Sequence, residues 1–223
     1  VRFKKYDLVM DEDLSIINSS TRNEKIKNFF INNKKFLIII ITLILLIVFS
    51  LFLFTEIKDR KIKSISDQYN NILINFNNSD KIKIKNELVE IIKNKNPTYS
   101  PLALYFILDN EIQASTEEIN EYFDIIINDT NLEKEIKYLV IYKKGLFNSE
   151  FETENNLILI LNPIIKSESV WKSHALYLIA EYFFDKNQRQ KAKEFYNKIL
   201  TYEKSNENIK FEAQRRLSRD LSE

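Results

Sequence analysis

The sequence predicts an all-α protein: a single N-terminal transmembrane helix, then an α-solenoid of degenerate tetratricopeptide-like helix pairs with a C-terminal capping helix. Three observations carry that expectation. Residues 36–54 form an uncharged apolar run. Glycine occurs once, at Gly145, and proline three times, at Pro97, Pro101 and Pro163, which is too little turn chemistry for a sheet protein. After the run, apolar residues recur at steps of three and four between short polar turns, the period of helices packed against near neighbours.

Residues 1–35 read as a cytoplasmic tail. Met10-Asp-Glu-Asp-Leu14 is acidic, Asn18-Ser-Ser-Thr21 is a loop able to cap the next helix, and 22–33 forms that helix, feeding the membrane. The span itself is residues 36–54. Only Thr42 and Ser50 are polar there, and both hydroxyls can bond back to the helix. At about 1.5 Å rise per residue it covers about 28 Å, close to a hydrocarbon core of about 30 Å. Phe52-Leu-Phe-Thr-Glu56 offers no small-residue cleavage site, so the run is an uncleaved anchor and not a signal peptide. Arg22, Lys25, Lys27, Lys34 and Lys35 precede it, and Lys58, Arg60, Lys61 and Lys63 come after it. That slight excess, with a short tail before an early anchor, puts the N-terminus in the cytoplasm and the large domain in the periplasm of a bacterial inner membrane.

Residues 55–96 are membrane-proximal helices. Ile62, Ile65, Tyr69, Ile72 and Phe76 make a heptad-type stripe, Asn77-Asn-Ser-Asp80 breaks it, and Ser79 or Asp80 caps a helix carrying Ile84, Leu88, Ile91 and Ile92. Asn96-Pro97 ends that helix. Residues 97–223 form the repeat domain. Helices are expected at 101–111, from the capping box Ser115-Thr-Glu-Glu118 through Ile126, then at 132–147, 151–161, 170–184, 188–203 and 209–221. Asn128-Asp-Thr-Asn131 turns the chain, Asn162-Pro163 stops a helix, and Gly145 serves a helix end or a close crossing.

Helix pairs of this length fit a 34-residue tetratricopeptide period. In the window 173–206, Ala180 and Ala192 are the small residues at the helix crossing. Phe183 and Tyr196 fill the space beside it, with Leu176, Ile179 and Ile199 in the core. Asn187 stands where the repeat favours glycine, and asparagine tolerates the left-handed conformation. The pairs in 100–128 and 132–165 keep the apolar spacing but not the small residues. Phe211, Ala213 and Leu217 lie on one further helix, which caps the stack.

An early anchor joined to such a domain resembles the ancillary SecYEG translocon subunits (YfgM-like proteins) in their alphaproteobacterial form. The likeness lies in Leu157-Ile-Leu-Ile-Leu-Asn-Pro163, Val170-Trp-Lys-Ser-His-Ala-Leu-Tyr-Leu-Ile-Ala180, Asn208-Ile-Lys-Phe-Glu-Ala-Gln-Arg-Arg-Leu217 and the acidic Met10–Leu14 stretch. The chain departs from that family in lacking its alanine and glycine richness. The resemblance implies protein partners: Sec translocon subunits, periplasmic chaperones or secreted clients.

Composition bounds the chemistry. The formal net charge is +1, which argues against a nucleic-acid partner. Cysteine is absent and His174 is the only histidine, so no thiol nucleophile, disulfide or Cys/His zinc site can be assembled. One glycine excludes a phosphate-cradling loop. Glu117 and Glu118 suit a helix N-terminus better than acid–base work. No catalytic residue, cofactor or metal is expected, and the protein is not read as an enzyme. What remains is an interaction surface. In the clear repeat, the first helix presents His174, Tyr177, Glu181 and Phe184 on one face, a candidate partner-binding groove. The other reading of that face is that Tyr177 and Phe184 pack under the terminal helix. The competing function is a structural scaffold or an assembly or division factor that self-associates through the stripe from Ile62 to Phe76.

Overall fold

The computed structural model describes residues 22–78 and 80–221, helical in all but short connections, with no strand among the described residues. The acidic stretch at 10–14, the loop at 18–21 and Ser79 lie outside the described residues. Helix α1 covers 22–32. It is followed by α2 Lys34–Asn75, α3 Lys81–Lys93, α4 Tyr99–Asp109, α5 Thr116–Asp124, α6 Lys134–Asn148, α7 Glu154–Ile165, α8 Lys172–Asp185, α9 Arg189–Thr201 and α10 Glu207–Arg219. The chain divides into two compact units, Val1–Lys61 and Ile62–Glu223.

The first unit holds α1 and the apolar part of α2. Its most apolar window has a mean hydropathy of 3.4, and no residue of that window is buried. This is one helix long and apolar enough to cross a membrane. Two of its threonine hydroxyls find partners within the helix: Thr42 Oγ1 donates to the Ile38 carbonyl at 2.9 Å and Thr55 Oγ1 to the Phe52 carbonyl at 2.8 Å.

The second unit is a stack of helix pairs around one apolar core. From α6 onward the order is regular: α6 packs on α7, α7 on α8, α8 on α9, and both α8 and α9 on α10. Alternate members of this series also touch, as α6 does α8 and α8 does α10. Ile65 and Ile72 of the membrane-proximal stripe are buried in the core, with Tyr69 and Phe76 packed against it. Ile62 remains 37% exposed. Rings tie this end together, Phe76 meeting Phe106 edge-on at 5.0 Å and Tyr69 meeting Tyr99 at 5.8 Å. The stripe is therefore used for the domain's own packing.

Local chemistry explains the element ends. Asp80 caps α3, accepting from the Ile82 N–H at 3.0 Å. Ser115 and Glu118 form the expected capping box, and Lys85 reaches both Glu118 oxygens at 2.9 and 3.0 Å, bracing α5 against α3. Backbone donation from Ser115 and the Lys85 ammonium hold the Glu118 carboxyl below its usual range. At Gly145 an added Cβ would lie 2.5 Å from Leu161 Cδ2, so α6 and α7 cross where a larger residue fits only if Leu161 shifts. Ala180 and Ala192 are fully buried at the α8–α9 crossing, flanked by Phe183 and Tyr196. Asn187 takes φ 57°, and the Gln188 N–H donates back to the Phe183 carbonyl at 2.8 Å, a Schellman closure made without glycine.

Three expectations need correction. Pro163 does not stop its helix: it lies inside α7, which runs on to Ile165. Only one intrahelical bond is forgone there, and burial of Leu161 and Ile164 on either side holds the turn in place. Residues 128–131 are not a simple turn either. Ile125–Asp129 forms a wide π-helical turn that keeps Ile126 and Ile127 buried before the chain leaves at Thr130. Finally, α4 begins at Tyr99, two residues before Pro101. Asn96 Oδ1 accepts from the Thr98 and Tyr99 N–H groups at 2.9 Å, which opens the helix early, and Pro101 then sits in a first turn that needs no amide donor.

Candidate functional site

His174, Tyr177, Glu181 and Phe184 do lie along one face of α8, and all four are half-buried. They do not form one surface. Three of them lie on the side where α10 packs. Arg216 of α10 grips Glu181 with two parallel bonds, Nη2 to Oε2 at 2.6 Å and Nε to Oε1 at 2.9 Å, the fork geometry that suits a carboxylate. The Tyr196 hydroxyl donates to the same Oε1 at 2.6 Å. The Arg216 guanidinium also lies 4.8 Å from the centre of the Phe184 ring, a cation–π contact. Its Nη1 continues to Asp220 Oδ2 at 3.1 Å. Tyr177 packs edge-on against Tyr196 at 5.7 Å. Burial raises the Tyr177 and Tyr196 hydroxyls above their ordinary range, with the Glu181 carboxylate adding to the shift. Burial disfavours the Arg216 cation, but hydrogen bonds to Glu181 and Asp220 outweigh that cost and hold it charged.

His174 belongs to a different cluster. Trp171, just before α8, stacks on Tyr142 of α6 at 5.7 Å with ring planes 24° apart. The His174 ring lies 5.1 Å from Trp171 and 6.0 Å from Tyr142. All three are half-buried. The turn that carries Trp171 is pinned by Ser169, whose hydroxyl donates to Glu135 Oε2 at 2.6 Å and accepts from the Trp171 N–H at 3.1 Å. Burial lowers the His174 pKa below its ordinary value, only partly offset by the nearby Val170 backbone, and the buried Nδ1 has no hydrogen-bond partner among the described residues. The ring is thus held neutral over a wider pH range. One pair earlier in the stack, Lys143 of α6 lies 4.8 Å above the ring of Tyr105 on α4, whose buried hydroxyl has no protein hydrogen-bond partner.

Sequence periodicity found the α8 face and offered the terminal helix as one of two things that could meet it, and α10 does engage Glu181 and Phe184. Arg216 was legible only as a cation in an amphipathic terminal helix. Tyr142 carried a signal that was available: a tyrosine recurs on alternate helices, at Tyr105 of α4, Tyr142 of α6 and Tyr177 of α8. Among the described residues, no three His, Asp or Glu side chains gather as a metal site would need. The arrangement sets half-buried aromatic rings of α6 and the start of α8 side by side. No family model, curated protein or solved structure matches the chain.

Proposed function

We propose that this is a single-span membrane protein whose helical domain is a protein-interaction module, acting as an ancillary subunit of the Sec translocon and linking it to periplasmic chaperones. The observation that carries the reading is the union in one chain of an exposed membrane-length apolar helix and a stack of helix pairs. An uncovered run of that length suits hydrocarbon, where the helix satisfies its own backbone groups. Stacked pairs offer the extended surfaces by which tetratricopeptide-type arrays bind other chains. The Sec assignment is supported by the resemblance of 157–163, 170–180 and 208–217 to that family. The cation excess before the run supports a cytoplasmic N-terminus and a periplasmic domain. Within the α8 face, the accessible part is the cluster of Tyr142, Trp171 and His174, because α10 and its contacts engage Tyr177, Glu181 and Phe184. Half-exposed aromatics held by their neighbours are the residue type that anchors partners.

Crosslinking in intact membranes with mass spectrometry of the products tests this. Translocon subunits and periplasmic chaperones should be recovered, and Tyr142→Ala with Trp171→Ala should lower their yield several-fold without changing the helical content of the domain. Recovery of the protein alone would replace the proposal with a self-associating scaffold.

A further inference from the structure

Helix α1 is exposed along its whole length, and three of its four large apolar residues share one face, Ile31 lying nearer the opposite side and Arg22 standing at the start of the stripe. At about 100° per residue, Ile26, Phe29 and Phe30 fall within about 100° of the helix circumference. Lys25 and Lys27 lie on the two edges of that stripe, and Glu24 and Asn28 lie opposite it. The apolar side chains are open: Ile26 is 48% exposed, and Phe29 and Phe30 are each 57% exposed. The two rings meet edge-to-face at 6.0 Å, making one apolar surface. Asn33 separates α1 from α2. Its side-chain Nδ2 donates to the Phe29 carbonyl at 2.9 Å, the oxygen that already accepts its backbone N–H at 3.0 Å. Side-chain bonding to the carbonyl four residues back is a local feature associated with helix bending, and the ladder itself runs on through the Leu37 N–H, which donates to the Asn33 carbonyl at 2.9 Å.

Charge distinguishes this flank from the other. Across 22–35, Arg22, Lys25, Lys27, Lys34 and Lys35 face the single acid Glu24. Beyond the run, Lys58, Arg60, Lys61 and Lys63 are accompanied by Glu56 and Asp59, and Arg60 is paired with Glu56 at 2.7 Å. An apolar stripe edged by lysines, covalently next to a membrane-length helix, has the chemistry of a segment that lies in a headgroup layer. Its surplus of cations complements anionic lipid.

We propose that α1 is an interfacial helix that docks on an anionic lipid surface, with Ile26, Phe29 and Phe30 in the headgroup boundary and Lys25 and Lys27 reaching phosphates from either edge. This rests on the membrane-spanning reading of residues 36–54. The full chain contains no cysteine, so Asn28→Cys, Phe29→Cys and Leu45→Cys each carry a single environment-sensitive dye. Each variant is placed in nanodiscs of phosphatidylcholine, alone or mixed with phosphatidylglycerol, and quenched by spin-labelled lipid or by aqueous iodide. In the mixed discs the dye at 29 should be quenched by lipid and the dye at 28 by iodide. Lipid quenching at 29 should fall several-fold in pure phosphatidylcholine and in a Lys25→Gln, Lys27→Gln background. Equal iodide access at 28 and 29, with 45 still quenched by lipid, overturns the interfacial helix and leaves the span intact. Equal lipid contact at 29 in both lipids overturns the anionic preference. Disulfide-linked dimers of Phe29→Cys would put a second copy on the stripe in place of lipid. Iodide access at 45 would remove the span and this proposal with it.

Discussion

Among the described residues, three close helices in the left-handed region without being glycine: Lys95 at φ 54°, Glu111 at 49° and Asn187 at 57°. For Lys and Glu the Cβ makes this conformation unfavourable by about 1 kcal/mol, and Glu111 is exposed. Glu111→Gly should therefore raise stability by about 0.5–1 kcal/mol, read as a higher urea midpoint at unchanged slope. Gly145→Ala should do the opposite. The gain in helix propensity is about 1 kcal/mol, but the new methyl meets the side chain of Leu161, which is fully buried and must shift within a packed core. Overpacking of that kind costs about 1–3 kcal/mol. If both substitutions move the midpoint the same way, the account of these positions is mistaken. His174 gives a pH signature. Its folded pKa lies below its unfolded one because burial disfavours the cation. The unfolded chain then binds the proton more readily, so stability is full above the ordinary histidine range and declines as pH falls from about 6.5. As the only histidine, it should account for the slope between about pH 5.5 and 7 on its own. Chemical denaturation of His174→Gln over that interval should give a flat line, and an unchanged slope would point to carboxylates instead.

At the scale of elements, α10 is held to the stack by apolar packing of Ile209 and Leu217 and by one polar hub. Ala213 is its buried apolar contact, while Arg216 joins Glu181, Phe184 and Asp220 at once. Arg216→Ala should loosen α10 and cost about 1.5–3 kcal/mol, the range for a hydrogen bond to a charged group, measured as a lower urea midpoint. Glu181→Gln in the same background should add little, because the two residues act as a unit. Strictly additive losses in that double-mutant cycle would show that the pair is incidental. The helices themselves were legible in the sequence, since periodicity, the Ser115 box and Asp80 all operate within a few residues. Their ends were less so. Pro163 reads as a stop only if its neighbours are free, and Leu161 and Ile164 are not. The wide turn at Ile125–Asp129 has no local signature distinct from a loop rich in Asn and Asp. The candidate groove was visible as a face of α8, but its division between α10 and the Tyr142–Trp171 pair depends on residues of other helices. Spacing within one helix carries no information about them.

For the whole molecule, the two units make different demands on solvent. A fragment beginning at Ile62 contains every residue of the buried core, so it should be soluble and strongly helical by circular dichroism. The full chain should stay in the membrane pellet after an alkaline carbonate wash, because residues 36–54 expose apolar side chains throughout. Release of the full chain to the supernatant, or aggregation of the fragment, would contradict this division of labour. The division was readable from sequence because hydropathy and charge report the solvent a segment meets. The wide turn at Ile125–Asp129 has a bearing on lineage. Bonds that skip one residue further than an α-helix take up a single inserted residue without unwinding the helices downstream. The loss of one residue there would return the segment to ordinary winding and leave the later pairs in their own register. Chains of slightly different length can therefore share this stack, and that turn is where such differences are most easily absorbed.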